Sequence, residues 1–373
     1  MTLQKTNNFC SNCILPDGFL GIRLDEHGIC DICRDPTFQT ENWRKVQITE
    51  KMRIDALKDW NSTIEKINTS ENRIPYDCIL GYSGGKDSTA LLDMLINELN
   101  LNVLAVTIDT GFMTDVAKEN IENTLKNLNY STHHRFITKA APTFIRLYKN
   151  LFLTHNSNKR ILAGTLCDHC SDLIHSILLK EAIQREIPII ILGYSSDQIK
   201  RYFYEIPQKE MLTEWTPDFL FPNQFTKRDQ KWFLSEIERE LSDLPRFLLP
   251  YHVLEYNEKK IINKIISKEL IERGNSDPVL TNCHVVKAAL MYDLYRYGGI
   301  SYALQYAELV RQEKEEKRPR TRKKWLFLCI SVGKAILSGR FAKEGIDYFL
   351  SEIGISRKDF LSKINSELEL DPN

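Results

Sequence analysis

The chain has 373 residues, 50 acidic and 50 basic, so its formal charge is zero, and 42% of it is apolar. That length suits two or three domains with real cores, and a neutral chain has no bulk basic field for nucleic acid, although a local patch could still hold some. The opening MTLQKTNNFCSN lacks the charged-then-apolar pattern of a secretory signal, and the apolar run 325–337 contains Lys334 and is too short to span a bilayer. The expectation is a soluble, cytoplasmic protein without membrane attachment.

In chain order, residues 1 to about 40 carry four cysteines and little periodic apolar pattern. From about 50 to 220, apolar runs alternate with amphipathic stretches, the signature of a parallel α/β sheet. CILGYS (78–83) reads as a strand, followed by glycines and the helix TALLDMLINELN. VLAVTID (103–109) is a second strand, followed by a helix around VAKENIENTLKNL. THHRFI (132–137) is a third, helices follow around 142–152 and 170–184, and IPIIILGY (187–194) is a fourth strand. Aromatic residues crowd 202–225, which reads as a packed loop, with a substrate wall as the alternative. Beyond about 225 the strand signal disappears, and 228–242, 257–273, 284–297, 301–316, 325–338 and 342–352 carry apolar residues at helical spacing. The charged stretch 311–324 reads as a solvated helix end and linker. The expected domains are therefore 1–45, 46–225 and 226–373.

The strongest local signal is Ser83-Gly84-Gly85-Lys86-Asp87-Ser88, set between a buried strand and a helix. Two glycines let backbone approach an anion, and the helix N-terminus aims N–H groups and a positive dipole end at it. Ser83, Ser88 and Thr89 add hydroxyls. The spacing is neither that of a Walker A loop nor GxGxxG.

SGGKDS resembles the PP-loop of the N-type ATP pyrophosphatases, which cleave ATP between its α and β phosphates. The resemblance implies an adenine nucleotide alpha hydrolase-like α/β fold in which Ser83, Gly84, Gly85, Asp87 and Ser88 hold pyrophosphate and Mg²⁺. Lys86 falls at the family's variable position, and its charge suits phosphate. Asp109 lies where the family seats the nucleoside. Gly193 and Asp197 stand where it often has a glycine- and aspartate-containing turn over ATP, with Gln198 in place of a more usual acidic residue.

Cys10-x2-Cys13-x16-Cys30-x2-Cys33 has the spacing of a structural zinc site made from two knuckles. Four thiolates close a tetrahedral shell, and some forty residues without a core of their own need such a staple. An iron–sulfur cluster on the same ligands is the alternative. These cysteines, GIRLDEHGICDIC, SGGKDS, the CDHC pair and RYGGISYALQYAELVR together resemble the N-acetyl sugar amidotransferases of bacterial lipopolysaccharide and nonulosonate pathways. That similarity implies conversion of a sugar acetamido group to an acetamidino group with ATP, using ammonia from a glutaminase partner.

Cys167 and Cys170 begin a helix, where a helix N-terminus favours thiolates. With Cys283 they could hold a second metal or an iron–sulfur cluster, which resembles the PP-loop tRNA thiolases; the alternatives are a second structural zinc site or reduced thiols. The leading expectation is an adenylating amidotransferase with Asp87, Cys167 and Cys170 as catalytic residues and ATP, Mg²⁺ and Zn²⁺ as cofactors. Sulfur transfer is the second reading, with tRNA as a partner only in that case, and a non-catalytic nucleotide-binding scaffold is the third. The other expected partners are a sugar-type substrate and further copies of the chain.

Overall fold

The computed structural model of the protein describes residues 8–39, 46–70, 75–153, 163–195, 202–221, 224–276 and 283–362. The chain divides into two compact units, one of Ile48–Leu153 with Asp168–His284, the other of Met1–Gln47, Thr154–Cys167 and Val285–Asn373. It is an α/β protein with a mostly parallel sheet, an N-terminal four-cysteine cluster and a helical C-terminal region. No helix among the described residues is long and apolar enough to cross a membrane.

The sheet contains β1 (Cys78–Gly81), β2 (Val103–Ile108), β3 (His134–Ile137), β4 (Ile189–Leu192), β5 (Glu205–Ile206) and β6 (Arg246–Leu248), in the order β3-β2-β1-β4-β6-β5. All pairs are parallel except β5 with β6. β2 and β4 are buried along their whole length, as runs of Val, Ile and Leu must be when both faces of a parallel sheet are covered. Gly81 at the end of β1 pairs with Val106 on one side and Leu192 on the other. The chain leaves β1 toward β2 and β3, then returns to place β4 on β1's other side. The carboxyl end of β1 is thus the topological switch point, where open α/β sheets bind ligands.

Helices α1 (Glu50–Thr69), α2 (Lys86–Asn97), α3 (Asp115–Asn127), α4 (Ala141–Leu153), α5 (Ala163–Gln184) and α6 (Glu258–Ser267) accompany the sheet. α2 buries Leu91, Leu92 and Leu95 and, among them, the carboxylate of Asp93. Lys264 and Lys268 reach Asp93 at 2.9 and 2.7 Å. Burial pushes that carboxyl up, but hydrogen bonds from Lys268, Lys264 and Asn97 outweigh it and hold the group below its ordinary value. These ion pairs, with Ala90 packed on Ile265, Leu270 and Ile271, fix α6 to α2.

His134 lies on β3, the edge strand beside β2. Thr107 donates its hydroxyl to Tyr82 O at 2.7 Å, so His134 Nε2, 2.9 Å from Thr107 Oγ1, must donate to it. Burial pushes the His134 pKa down to about 4 from 6.5. The unfolded chain therefore takes up a proton between pH 6.5 and 4 that the folded one refuses, and stability present above that window is lost as pH falls through it. On the order of 2 kcal/mol should disappear. Urea unfolding at pH 7 and 4.5 should show this drop, and His134→Gln, which keeps a donor but cannot titrate, should flatten it. An equally steep drop in that variant would assign the effect to other groups.

The second unit joins the cysteine segment to α8 (Tyr302–Gln312), with α7 (His284–Tyr297), α9 (Arg318–Leu337) and α10 (Lys343–Glu352) completing its helices. Ala303, Leu304, Ala307 and Val310 form one face of α8 and pack against Ile14, Leu15, Phe19, Leu20 and Ile22. Tyr306 stacks on Trp325 with ring centroids 4.3 Å apart.

Three expectations need correction. A strand does exist beyond 225: β6 lies inside the sheet beside β4. It has three residues, too few to display a period, and its burial comes from partners distant in sequence. The segment 228–242 is not one helix but two short turns, Gln230–Trp232 and Glu236–Arg239. Asp229 is the reason, since its carboxylate accepts from Thr143, Thr226 and Arg146 and holds the backbone in a turn. The stretch 311–324 is not all linker either, because α9 already begins at Arg318.

Candidate functional site

SGGKDS connects β1 to α2 at the switch point. Gly84 has φ 75°, and a Cβ built there would lie 2.7 Å from both Ala117 O and Ile121 Cγ1, so only glycine fits. Gly85 is the N-cap of α2 and supplies no side-chain cap, so the start of α2, where helix N–H groups and the dipole favour an anion, carries no capping side chain. The hydroxyls are already arranged. Ser83 Oγ lies 3.1 Å from Ser88 Oγ and accepts from Gly85 N–H at 3.3 Å, while Ser88 Oγ donates to Gly85 O at 3.1 Å. Ser83 is exposed and Asp87 partly so, which leaves the turn open to a ligand.

The neighbouring strand ends complete the rim. Gly193, just after β4, backs directly onto the helix start: a Cβ there would meet Ser88 N at 3.1 Å and Asp87 C at 3.3 Å. Asp109, just after β2, accepts from Gly111 N–H at 2.8 Å and shapes the turn. Beside it, Thr110 Oγ1 is buried and, among the described residues, without a hydrogen-bond partner. Asp197 and Gln198 lie outside the described residues.

The second cysteine set is placed only in part. Ser171, beside Cys170 on α5, accepts from Tyr194 OH at 3.3 Å, and Tyr194 directly follows Gly193. Cys283 forms an isolated antiparallel bridge with Met113, beyond the carboxyl end of β2, and His284 N–H donates to Phe112 O at 2.9 Å. α5 begins at Ala163, so Cys167 and Cys170 lie inside the helix one turn apart rather than at its start, which removes the expected N-terminal bias toward thiolate; Cys167 falls on the other side of the division between the two units.

Sequence reasoning missed the residues that hold the turn from outside it. Asn120 of α3 donates to Gly84 O at 3.2 Å. Tyr251 OH donates to Asp87 O at 3.2 Å and Tyr256 OH to Asp87 Oδ1 at 2.8 Å. Lys86 Nζ donates to Asp87 Oδ2 at 2.8 Å and lies 3.5 Å from Glu258. Tyr256 is 169 residues from Asp87, and no local pattern could have announced it.

Among the described residues, one group of three or more side chains could share a metal ion: Cys10, Cys13, Cys30 and Cys33, whose sulfurs all lie within 4.8 Å of one another. Two of the edges, Cys10–Cys33 at 3.8 Å and Cys13–Cys30 at 3.7 Å, suit a single ion. Zn–S bonds of about 2.3 Å give a tetrahedron with edges of about 3.8 Å. Cys10 Sγ accepts backbone N–H groups from Cys13 and Cys30 at 3.4 and 3.3 Å. The thiol of Cys13, then those of Cys30 and Cys33, push the Cys10 pKa down, while the bond to Cys10 pushes Cys13 up. Arg322 closes the back of the site with two hydrogen bonds to Cys10 O.

No protein-family model matches the chain. An uncharacterized protein of Methanocaldococcus jannaschii is 45% identical over 99 residues, 26% of this chain. The chain spans 31% of the length of that curated relative. Similar solved structures include U34-tRNA thiolase NcsA from Methanococcus maripaludis with its 4Fe–4S cluster, at TM-score 0.37 and 12% identity, covering 88% of each chain. The NH3-dependent NAD synthetase of Campylobacter jejuni gives 0.34 and 15%, over 74% of this chain and 94% of its own. The NMN synthetase of Francisella tularensis gives 0.33 and 12%, over 84% and 93%. Likeness at this level carries no inference about activity.

Proposed function

We infer that the chain is an adenylating enzyme of the PP-loop kind, which converts ATP to AMP and pyrophosphate while activating a carbonyl oxygen of its substrate. The observation that carries this reading is the SGGKDS turn at the switch point. A left-handed glycine that admits no Cβ, an N-terminus of α2 without a side-chain cap, and two preset serine hydroxyls make a cradle for two linked phosphates.

In this scheme the substrate oxygen attacks the α-phosphorus and the bond to the bridging oxygen of the β-phosphate breaks. Pyrophosphate leaves with the electron pair. Ser83, Ser88 and the first-turn N–H groups of α2 receive the charge that develops on it. The Asp87 carboxylate, a hard oxygen donor at the mouth of the turn, suits Mg²⁺, which would neutralise the phosphate oxygens when bound. Thr110 and the turn shaped by Asp109 would seat the nucleoside. A nucleophile then attacks the activated carbon, and AMP departs with the former carbonyl oxygen.

For the second step we favour nitrogen transfer to a sugar acetamido group, the activity implied by the chain's resemblance to N-acetyl sugar amidotransferases. Sulfur transfer is the second reading, supported by Cys283 pairing with Met113 beyond β2 and by Ser171, next to Cys170, accepting from Tyr194 just after β4. In both readings the four N-terminal cysteines hold a structural Zn²⁺, and a cytoplasmic location fits the reduced thiols.

Product analysis tests the proposal. Incubation with ATP, Mg²⁺ and acetamido sugars should yield AMP and pyrophosphate, and Asp87→Ala should abolish both while the protein stays folded. ADP and phosphate as main products would overturn the assignment. Turnover that depends on ammonia favours nitrogen transfer, whereas acid-labile sulfide in anaerobically prepared protein favours sulfur transfer.

A further inference from the structure

We propose that the segment 250–268 is a clamp on the phosphate-binding turn, in which Tyr256 is the positioning residue for the Asp87 carboxylate and Glu258 sets how strongly Lys86 meets an incoming polyphosphate. The proposal rests on the reading that SGGKDS binds the phosphates of ATP.

The clamp is fastened at both ends. Its far end is tied to α2 by Lys264 and Lys268 on the buried Asp93. Its near end reaches the turn through Tyr251 and Tyr256, whose rings meet edge to face at 5.4 Å. Tyr251 donates to the main-chain oxygen of Asp87 and fixes the backbone; Tyr256 donates to Oδ1 and fixes the side chain. Oδ2 is held by Lys86. The two carboxylate oxygens therefore have different partners, one neutral and one charged.

That asymmetry has a consequence for ligand binding. A phosphate chain competes directly for Lys86, because the ammonium gains a new anion when it leaves Oδ2. It does not compete for Tyr256, which keeps Asp87 oriented while Oδ2 is freed to face a cation accompanying the phosphates. Glu258 works against this exchange. Its carboxylate lies 3.5 Å from Lys86 Nζ and is about half exposed, so it dilutes the positive charge offered to phosphate. The two side chains should thus act with opposite signs, although they stand two positions apart. A part that only held the fold together would move both measurements in the same direction.

The test is calorimetric binding of pyrophosphate to the full chain, with Mg²⁺ and with EDTA, alongside melting without ligand. Tyr256→Phe should weaken binding about tenfold with Mg²⁺ while leaving the EDTA value unchanged, the loss expected for a hydrogen bond to a charged group. Glu258→Gln should tighten binding about threefold in EDTA, an advantage that disappears at high salt, as expected for a half-exposed charge. Neither melting temperature should move by more than a few degrees. Equal weakening by Tyr256→Phe with and without Mg²⁺, or no effect, would overturn the positioning role. Unchanged or weaker binding by Glu258→Gln would overturn the charge role. If the unmodified protein binds no pyrophosphate at all, the reading of the turn itself fails, and the clamp with it.

Discussion

Gly84→Ala should reduce ATP and pyrophosphate binding at least a hundredfold and eliminate AMP formation. The backbone at this position has φ 75°, which costs an L-residue with a Cβ about 1–2 kcal/mol. The larger cost is steric. The new methyl would stand 2.7 Å from Ala117 O, a backbone atom inside α3, and equally close to Ile121 Cγ1. Neither neighbour yields without moving α3 against the sheet, so the turn moves instead and the phosphate cradle loses its shape. Gly339→Ala isolates the backbone part: its φ is 70° and, among the described residues, nothing lies within 4 Å of the added carbon, so only backbone strain remains. Calorimetry with pyrophosphate and a melting curve for each variant decide the matter. Gly84→Ala binding as tightly as the unmodified protein would show that the cradle lies elsewhere.

The part of this site that was legible in the sequence is the part built from neighbouring residues. A buried strand, two glycines, two serines and a helix start lie within a dozen positions, and each obeys a local rule. The same holds for the four cysteines, whose spacing alone indicates a shared ion. Illegible were contacts whose partners are far apart along the chain. Tyr251 and Tyr256 sit in a segment with no motif, and their value arises only because Asp93, buried on α2, draws Lys264 and Lys268 to it. β6 escaped notice for a related reason: three residues, Arg246, Phe247 and Leu248, become a strand because β4 and β5 lie on either side. Local chemistry also misled at Asp229. The apolar spacing of 228–242 suits a helix, but the Asp229 side chain, captured by Thr143, Thr226 and Arg146, breaks it into turns.

Removing one ligand from the cysteine cluster should be nearly as severe for the other unit as Gly84→Ala is for the α/β unit. Cys30→Ser is expected to release the bound metal and to lower the melting transition of the helical unit by about 10 °C, roughly 3–5 kcal/mol for a unit of this size. Three thiolates and a hydroxyl make a poorer shell for a thiophilic ion, and the sulfur removed is fully buried. The effect reaches beyond the metal. Cys10, Cys13 and Cys30 belong to the same apolar cluster as Phe19, Leu20 and the Ala303, Ala307 and Val310 face of α8, so loss of the ion uncovers that face. Pyrophosphate affinity should stay unchanged in Cys30→Ser, because the phosphate cradle is built wholly from residues of the α/β unit. Metal content by mass spectrometry, a thermal scan and pyrophosphate calorimetry on the same preparation give the three readouts. Full metal occupancy with an unshifted melting transition would refute the structural role, and loss of pyrophosphate binding with the metal retained would move the cluster into the chemistry.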